Sequence, residues 1–458
     1  MQTRIRHLFN YYLKKSLASI ALSIGCLVSS SALAQTNLNI IYTAGGGDSL
    51  WNNPLNWDIT GFGPGVPENT PSIRYSVFID NSSNANSVVF QNVNANINNI
   101  NISLNDILVT QTGRWLTLNN QSNDITFVND GQYILQSQNG QDTRLHLTRT
   151  TNLIGTGGAG RLILQDGASI SGSGHDVLLR IQAGQTIEGE NSNGSFGVGV
   201  LGIQNDGLIH ASMSDKRILI QPGTIGFSNG GTVRASNGGY VVLSGSFANR
   251  TFSNSAGGVM EALTGTRFEI KDSARLSGGT LTGAGTFEVS DGQLSDLVNN
   301  STIISRNGTI TGTITNNGLI EIAPIAQNNL FISGNATLTG TGTLRLDGAD
   351  TVRHVVSAST LTNGVGHTIE GETSSNIAGP GSLGGVGQAL AIVNQGLIHG
   401  NVNGQRLIIN PGSAGMSNSG TIRASNGGAV VLSGGSSNRT FTSSSSGVLE
   451  ANAGSSAS

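Results

Sequence analysis

A block of nearly two hundred residues occurs twice in this chain, and that duplication limits the fold more than any other feature. Thr186-Ile187-Glu188-Gly189-Glu190 returns as Thr368-Ile369-Glu370-Gly371-Glu372, an offset of 182 residues. The six residues from Arg234 to Gly239 return unchanged from Arg423 to Gly428, an offset of 189, so the second copy gains seven residues between these landmarks. The repeat preserves no cysteine and no histidine or acidic cluster. It therefore points to architecture before chemistry.

Inside the long block runs a shorter period. Asn205-Asp206-Gly207 and Asn229-Gly230-Gly231 are 24 residues apart, and a looser version begins 25 residues later at Asn254. The second copy keeps the count, with Asn394-Gln395-Gly396 and Asn418-Ser419-Gly420 again 24 apart. Related phrases stand at Asn129-Asp130-Gly131 and Asn316-Asn317-Gly318. Periods in this range belong to solenoids, where one unit cannot bury its own apolar face and must stack on its neighbours.

Each unit reads as two or three strands. Between Gly207 and Asn229 the runs Leu208-Ile209-His210-Ala211 and Arg217-Ile218-Leu219-Ile220 are short, rich in β-branched residues and separated by turn formers such as Pro222-Gly223. No window after residue 34 holds an apolar pattern at helical spacing, and 66 glycines would weaken any helix interior they fell in. The expected fold is all-β, a parallel β-helix (β-solenoid) with coils of about 24 residues; roughly fifteen coils would make a rod about 70 Å long. The recurring asparagines suit two structural tasks. They tolerate the left-handed conformation at tight corners, and they can link amides from coil to coil.

Aromatics at 5% and charged residues at 11% fit a narrow aliphatic interior better than a globular enzyme core. The N-terminus reads as a secretory signal over residues 1–34: Arg4, Arg6, Lys14 and Lys15, then a largely apolar Leu17 to Val28, then Ala32-Leu33-Ala34 as a small-x-small cleavage site. A competing lipoprotein reading rests on Ser23-Ile24-Gly25-Cys26. Cys26 is the single cysteine, so removal of the signal leaves no disulfide. It also leaves 19 basic against 26 acidic side chains, a formal net of −7, which argues against nucleic acid as a partner. No membrane-spanning helix is expected in the mature chain.

Residues 35–75 differ from the rest and read as an N-terminal cap. They hold Trp51-Asn52-Asn53-Pro54-Leu55-Asn56-Trp57 and then Val66-Pro67-Glu68-Asn69. Divergent solenoid coils follow over 76–152, the first long repeat over 153–337 and an incomplete second repeat over 338–458. The tryptophan phrase, the Asn-x-Gly-Thr-Ile coils and the Thr-Ile-Glu-Gly phrases together resemble the large repetitive exported proteins of Gram-negative bacteria, of the autotransporter-passenger and filamentous-haemagglutinin-like adhesin type. That resemblance implies a secreted or cell-surface β-solenoid, at the outer membrane or beyond it, that serves attachment, matrix contact or cell contact. Glycans or cell-surface receptors are the implied partners, and self-association is plausible along strand edges. A haemagglutinin-type secretion domain, a translocator barrel and a sorting tail are not recognisable. The second block breaks off at Ser458, where the first continues into Phe268-Glu269-Ile270, so a longer protein is expected.

Chemical motifs do not accumulate. Gly155-x-Gly157-x-x-Gly160 fits a dinucleotide fingerprint, yet Arg161-Leu162-Ile163-Leu164 after it reads as a strand where the fingerprint needs a helix. His210 and His399 hold equivalent places in the two copies and read as structural or surface residues. Acid-rich spots at Asp347 to Asp350, with Asp166 as a counterpart, and at Glu261, Glu269 and Asp272 with Lys271 support the alternative of a polysaccharide lyase or hydrolase. The expected assignment is no catalytic residue, no metal and no cofactor.

Overall fold

The computed structural model describes residues 35–458 except 81–85, 122, 158, 175, 198–199, 247, 256, 324–327, 348–350, 356–358, 373–380, 385–389 and 435–437. The expected signal segment and Cys26 lie outside the described residues, as do Gly348, Ala349, Asp350 and the side chain of Asp347. The protein is all-β, with Pro54–Asn56 forming a single 3-10 turn. No helix among the described residues is long and apolar enough to cross a membrane.

Three strands make one coil. On face I, Val88–Gln91 pairs in parallel with Ile107–Thr110, and that strand with Gln132–Leu135. On face II, Ala95–Ile97 is followed by Trp115–Leu118 and Arg144–Leu147. On face III, Ile73–Ile79 leads to Asn99–Ile102, Ile125–Asn129 and Thr151–Ile154. The chain visits I, II and III in this order throughout, reaching Val448–Ala451 on face II and Ser456–Ala457 on face III. The result is a parallel, in-register stacking of about sixteen coils in a rod on the order of 75 Å long.

Period-2 alternation fills the interior. In Arg217–Ile220 the residues Ile218 and Ile220 point inward and are wholly buried, while Arg217 and Leu219 are half-buried on the outside. In-register stacking repeats this at every level and merges the inward residues into one core running from Ile40 to Val430. Phe268 lies on Phe287 with ring centroids 4.9 Å apart, and Phe227 lies near Phe252 at 5.9 Å.

Coil length varies around the expected value. Leu208 pairs with Thr232, 24 residues on, but Thr286 pairs with Thr302 and Thr302 with Leu319, only 16 and 17 residues on. The short coils save residues by turning a corner inside a continuous strand. Gln293–Asn299 and Thr309–Asn316 each cover two faces, and their register breaks between Ser295 and Leu297 and between Ile310 and Gly312. Asp296 (φ 51°) and Gly312 (φ 65°) supply the bend, and the Thr313 N–H donates to Asp296 Oδ1 at 2.9 Å. A Cβ on Gly312 would stand 2.2 Å from that same oxygen, so the corner needs glycine.

The asparagines divide the two tasks expected of them. Those of the Asn-x-Gly phrases from Asn205 onward point inward and link amides: Asn205 Nδ2 donates to Asn229 Oδ1, and Asn229 Nδ2 to Asn254 Oδ1, each at 2.7 Å, whereas the side chain of the equally buried Asn129 makes no such link among the described residues. The left-handed corners belong to others, including Asn237 (φ 52°) and its copy Asn426 (φ 51°) in the duplicated Arg-Ala-Ser-Asn-Gly-Gly turn. The expectation that one residue does both is corrected here, because an inward amide needs strand geometry that a left-handed corner would destroy.

The long repeat and the coil are out of phase. The strand Gly202–Asn205 lies on face III, whereas its copy Ala391–Asn394 lies on face I, paired to Thr360–Asn363. Likewise Leu208–Ala211 is on face I and its copy Leu397–Gly400 on face II. The second block thus repeats the first one face further round the rod.

Candidate interaction surface

At the N-terminal end of the described rod, Thr36–Tyr42 pairs in parallel with Ile73–Ile79 and antiparallel with Trp57–Ile59. Trp51 and Trp57 are fully buried there, edge to face at 4.8 Å, with Trp57 Nε1–H donating to the Trp51 carbonyl at 2.8 Å. Neither ring offers a face to a sugar. Asn56 is buried and donates to Asp48 Oδ1 at 2.7 Å; that bond, with those from the Leu50 N–H and Asn53, holds the Asp48 carboxyl below its usual range. Trp115 differs, being 39% exposed, with the Arg144 guanidinium 4.6 Å above its ring.

Charge on the outer faces is organised as ladders. On face I, Glu188, His210, Arg234 and Glu261 are stacked in register on four successive coils. Arg161, two positions to the side, reaches Glu188 through Nε at 3.1 Å, and Arg234 Nε meets Glu261 Oε2 at 2.5 Å. Burial pushes the Glu188 carboxyl up, but hydrogen bonds from Arg161 and Ser212 outweigh it and leave a net lowering. On face II the second copy stacks Arg345, Glu370, His399, Arg423 and Glu450 in one row. Arg345 Nε lies 3.0 Å from Glu370 Oε1, and Arg423 bonds Glu450 through its Nε.

Both histidines are fixed by hydroxyls. His210 Nε2 lies 2.8 Å from Ser236 Oγ and His399 Nε2 2.8 Å from Ser425 Oγ, the same contact in each copy. Both titrate below the ordinary histidine range, in each case chiefly because burial disfavours the cation; Glu188 opposes this at His210, and Arg423 adds to it at His399. The sequence reads these histidines as structural or surface residues and shows no partner for either. The missed signal was a spacing of one coil between Glu188, His210, Arg234 and Glu261.

The acids considered for catalysis do not converge. Glu261 is on face I in the Arg234 pair, whereas Glu269 is on face II between Arg267 at 2.9 Å and Lys271 at 3.4 Å. Asp272 sits at a left-handed corner (φ 55°) and accepts from Ser244 Oγ at 2.8 Å. Asp166 occupies another such corner (φ 49°). No group of three metal-ligating side chains occurs among the described residues. An open trough of about 380 Å³ follows one corner past Gly366, His367, Gly396, Gly420 and Arg423, and its lining carries no carboxylate. The apolar interior holds a void of about 10 Å³ between Val289, Ile303 and Leu330, and near the end of the described rod it opens into a cavity of about 140 Å³ lined by Met416, Ile422, Phe441 and Leu449.

No known protein family and no curated protein matches the chain. Among solved structures, a hyper-glycosylated fragment of TibA, modified by TibC, aligns over 81% of this chain and 100% of its own at 12% identity and a TM-score of 0.23.

Proposed function

We propose that this chain is a secreted or cell-surface, adhesin-like β-solenoid whose long outer faces mediate attachment or matrix contact without catalysis. The observation that carries the reading is the duplicated charge ladder. Ion pairs laid out along a flat face make an extended contact surface, whereas hydrolysis or elimination needs two or more ionisable groups pointing at one bond. The described acids considered for that task are spread over different faces and corners, with Glu261, Glu269 and Asp272 each held by a partner of its own. A continuous packed apolar core from Ile40 to Val430 supports the same reading, since it makes the outside the working surface.

The test is to present the purified chain to cells, immobilised glycans and bare surfaces, and in parallel to incubate it with a panel of bacterial and plant polysaccharides. Saturable adhesion with no release of reducing ends or unsaturated products is the expected result. Polysaccharide cleavage abolished by replacing a single carboxylate would refute the proposal.

A further inference from the structure

The order of charges within each ladder carries a consequence for assembly. Read along the rod, ladder one runs Arg161, Glu188, His210, Arg234, Glu261, and ladder two runs Arg345, Glu370, His399, Arg423, Glu450. Both have the order plus, minus, histidine, plus, minus; in ladder one Arg161 stands two positions to the side, paired with Thr186, and in ladder two Glu321 continues the row below Arg345. Reversed, that order becomes minus, plus, histidine, minus, plus, its own complement. Two copies laid face to face with their axes antiparallel, about a two-fold axis through the central histidine, therefore set Arg234 opposite Glu188 in ladder one, with Arg161 two positions aside from Glu261, and in ladder two set Arg423 opposite Glu370 and Arg345 opposite Glu450. Parallel copies would set like on like, which disfavours them.

The surroundings suit such contact. Beside ladder one stands a row of short or apolar side chains, Thr186, Leu208, Thr232 and Val259, and beside ladder two its copy Thr368, Leu397, Thr421 and Val448. The first row carries Arg161 below Thr186, and the second carries the uncharged Thr343 below Thr368. The arginine side chains keep 31 to 40% of their surface exposed, so the guanidiniums can accept a second carboxylate without leaving the first. Each ladder spans four coil steps, about 19 Å.

We propose that both ladders are self-association surfaces whose partner is an antiparallel second copy of this chain. Because the repeat is out of phase with the coil, the two ladders lie on neighbouring faces, and their centres are about 40 Å apart along the rod. A single neighbour cannot engage both. Two isologous surfaces pointing in different directions join chains into an open array and do not close at a dimer. The inference rests on charge order alone and holds or fails independently of the attachment reading.

The test keeps the arginine–glutamate pairs within each ladder while changing their order. One full-length variant carries Arg234→Glu, Glu261→Arg, Arg423→Glu and Glu450→Arg; a second carries Arg161→Glu, Glu188→Arg, Arg345→Glu and Glu370→Arg. In either variant the ladder becomes a palindrome that faces itself with like charges, yet the two variants complement each other. Sedimentation at an ionic strength of about 0.01 M, where the Debye length is about 30 Å, is the readout. Wild type should exceed twice the 47.0 kDa chain mass and dissociate at about 1 M salt. Each variant alone should sediment as a monomer, and an equimolar mixture should recover the large species. A wild type that stays monomeric at low salt, variants that associate as wild type does, or a mixture that remains monomeric would each overturn the inference.

Discussion

Acidification should weaken the second half of the rod through one buried histidine. The inward amide ladder runs from Asn299 to Asn316 at 2.7 Å and resumes from Asn363 to Asn394 at 2.8 Å, but the coil between them offers Leu338 and Gly340 at the corresponding positions. His367, with no exposed surface, bridges the gap: Nε2 lies 3.1 Å from Asn316 Nδ2 and Nδ1 lies 2.7 Å from Asn363 Oδ1. Only the neutral ring protonated on Nδ1 satisfies both, accepting from Asn316 and donating to Asn363. A second proton would aim Nε2–H at the Asn316 amide hydrogens.

Burial accordingly pushes the His367 pKa down from 6.5 to about 4. Above pH 6.5 the folded and unfolded states are both neutral and stability is flat. As pH falls, the unfolded chain takes up a proton that the native site refuses, so stability is lost between about 6.5 and 4, by about 2 kcal/mol at pH 5 and about 3 kcal/mol in full. In His367→Gln the amide can accept from Asn316 and donate to Asn363 without titrating. Urea unfolding midpoints of both proteins from pH 8 to 4 should diverge as pH drops, with wild type losing more. His146, His210 and His399 also titrate low, mainly from burial, but they are common to both proteins and cancel in the difference. Parallel curves, or an NMR titration placing the His367 midpoint near 6.5, would refute this account.

Replacing Asn229 with alanine should cost about 2 kcal/mol, since it strands Asn254 Oδ1 inside the core and takes one of three acceptors from Asn205 Nδ2; thermal unfolding measures it. Gly231→Ala should cost a similar amount, because its Cβ would stand 2.2 Å from the Gly207 carbonyl oxygen of the coil below; Gly265→Ala, with φ 75° and open space, should cost about 1–2 kcal/mol from backbone strain alone. Arg345→Gln should lose less than about 1 kcal/mol in the same assay, since a half-exposed ion pair is weakly stabilising. Far-UV circular dichroism should show one β minimum, with helix below about a tenth of residues.

The fold was legible because β-solenoids write their period into the sequence. Asn205 and Asn229 are 24 apart and do lie one coil apart in a continuous amide ladder. The short central coils were not legible, because the corners at Asp296 and Gly312 replace loops with one left-handed residue each and leave no run of turn formers. The role of His367 was hidden for a different reason. It lies four residues past Asn363 in sequence, but its other partner, Asn316, is 51 residues away on the far side of a skipped rung. Both charge ladders were present as letters, yet their order becomes a pattern only once register places Glu188, His210, Arg234 and Glu261 on one face.

The phase shift of the duplicated block explains why such a repeat could be accepted at all. Insertion into a globular core would have to match the partners already there, but each solenoid face asks the same of its strands: alternate residues inward, small or aliphatic, in register with the coil below. A strand from face III can therefore serve on face I, as Ala391–Asn394 does for Gly202–Asn205. What does not transfer freely is an inward polar group, because a buried amide must find another amide above or below it. On face I the copied asparagines Asn394 and Asn418 meet the ladder begun by Asn299 and Asn316, and His367 supplies the donor and acceptor at the rung where the two would otherwise fail to join. The same displacement carries the outer charge ladder from face I to face II, so one sequence motif gives the rod two surfaces that look in different directions.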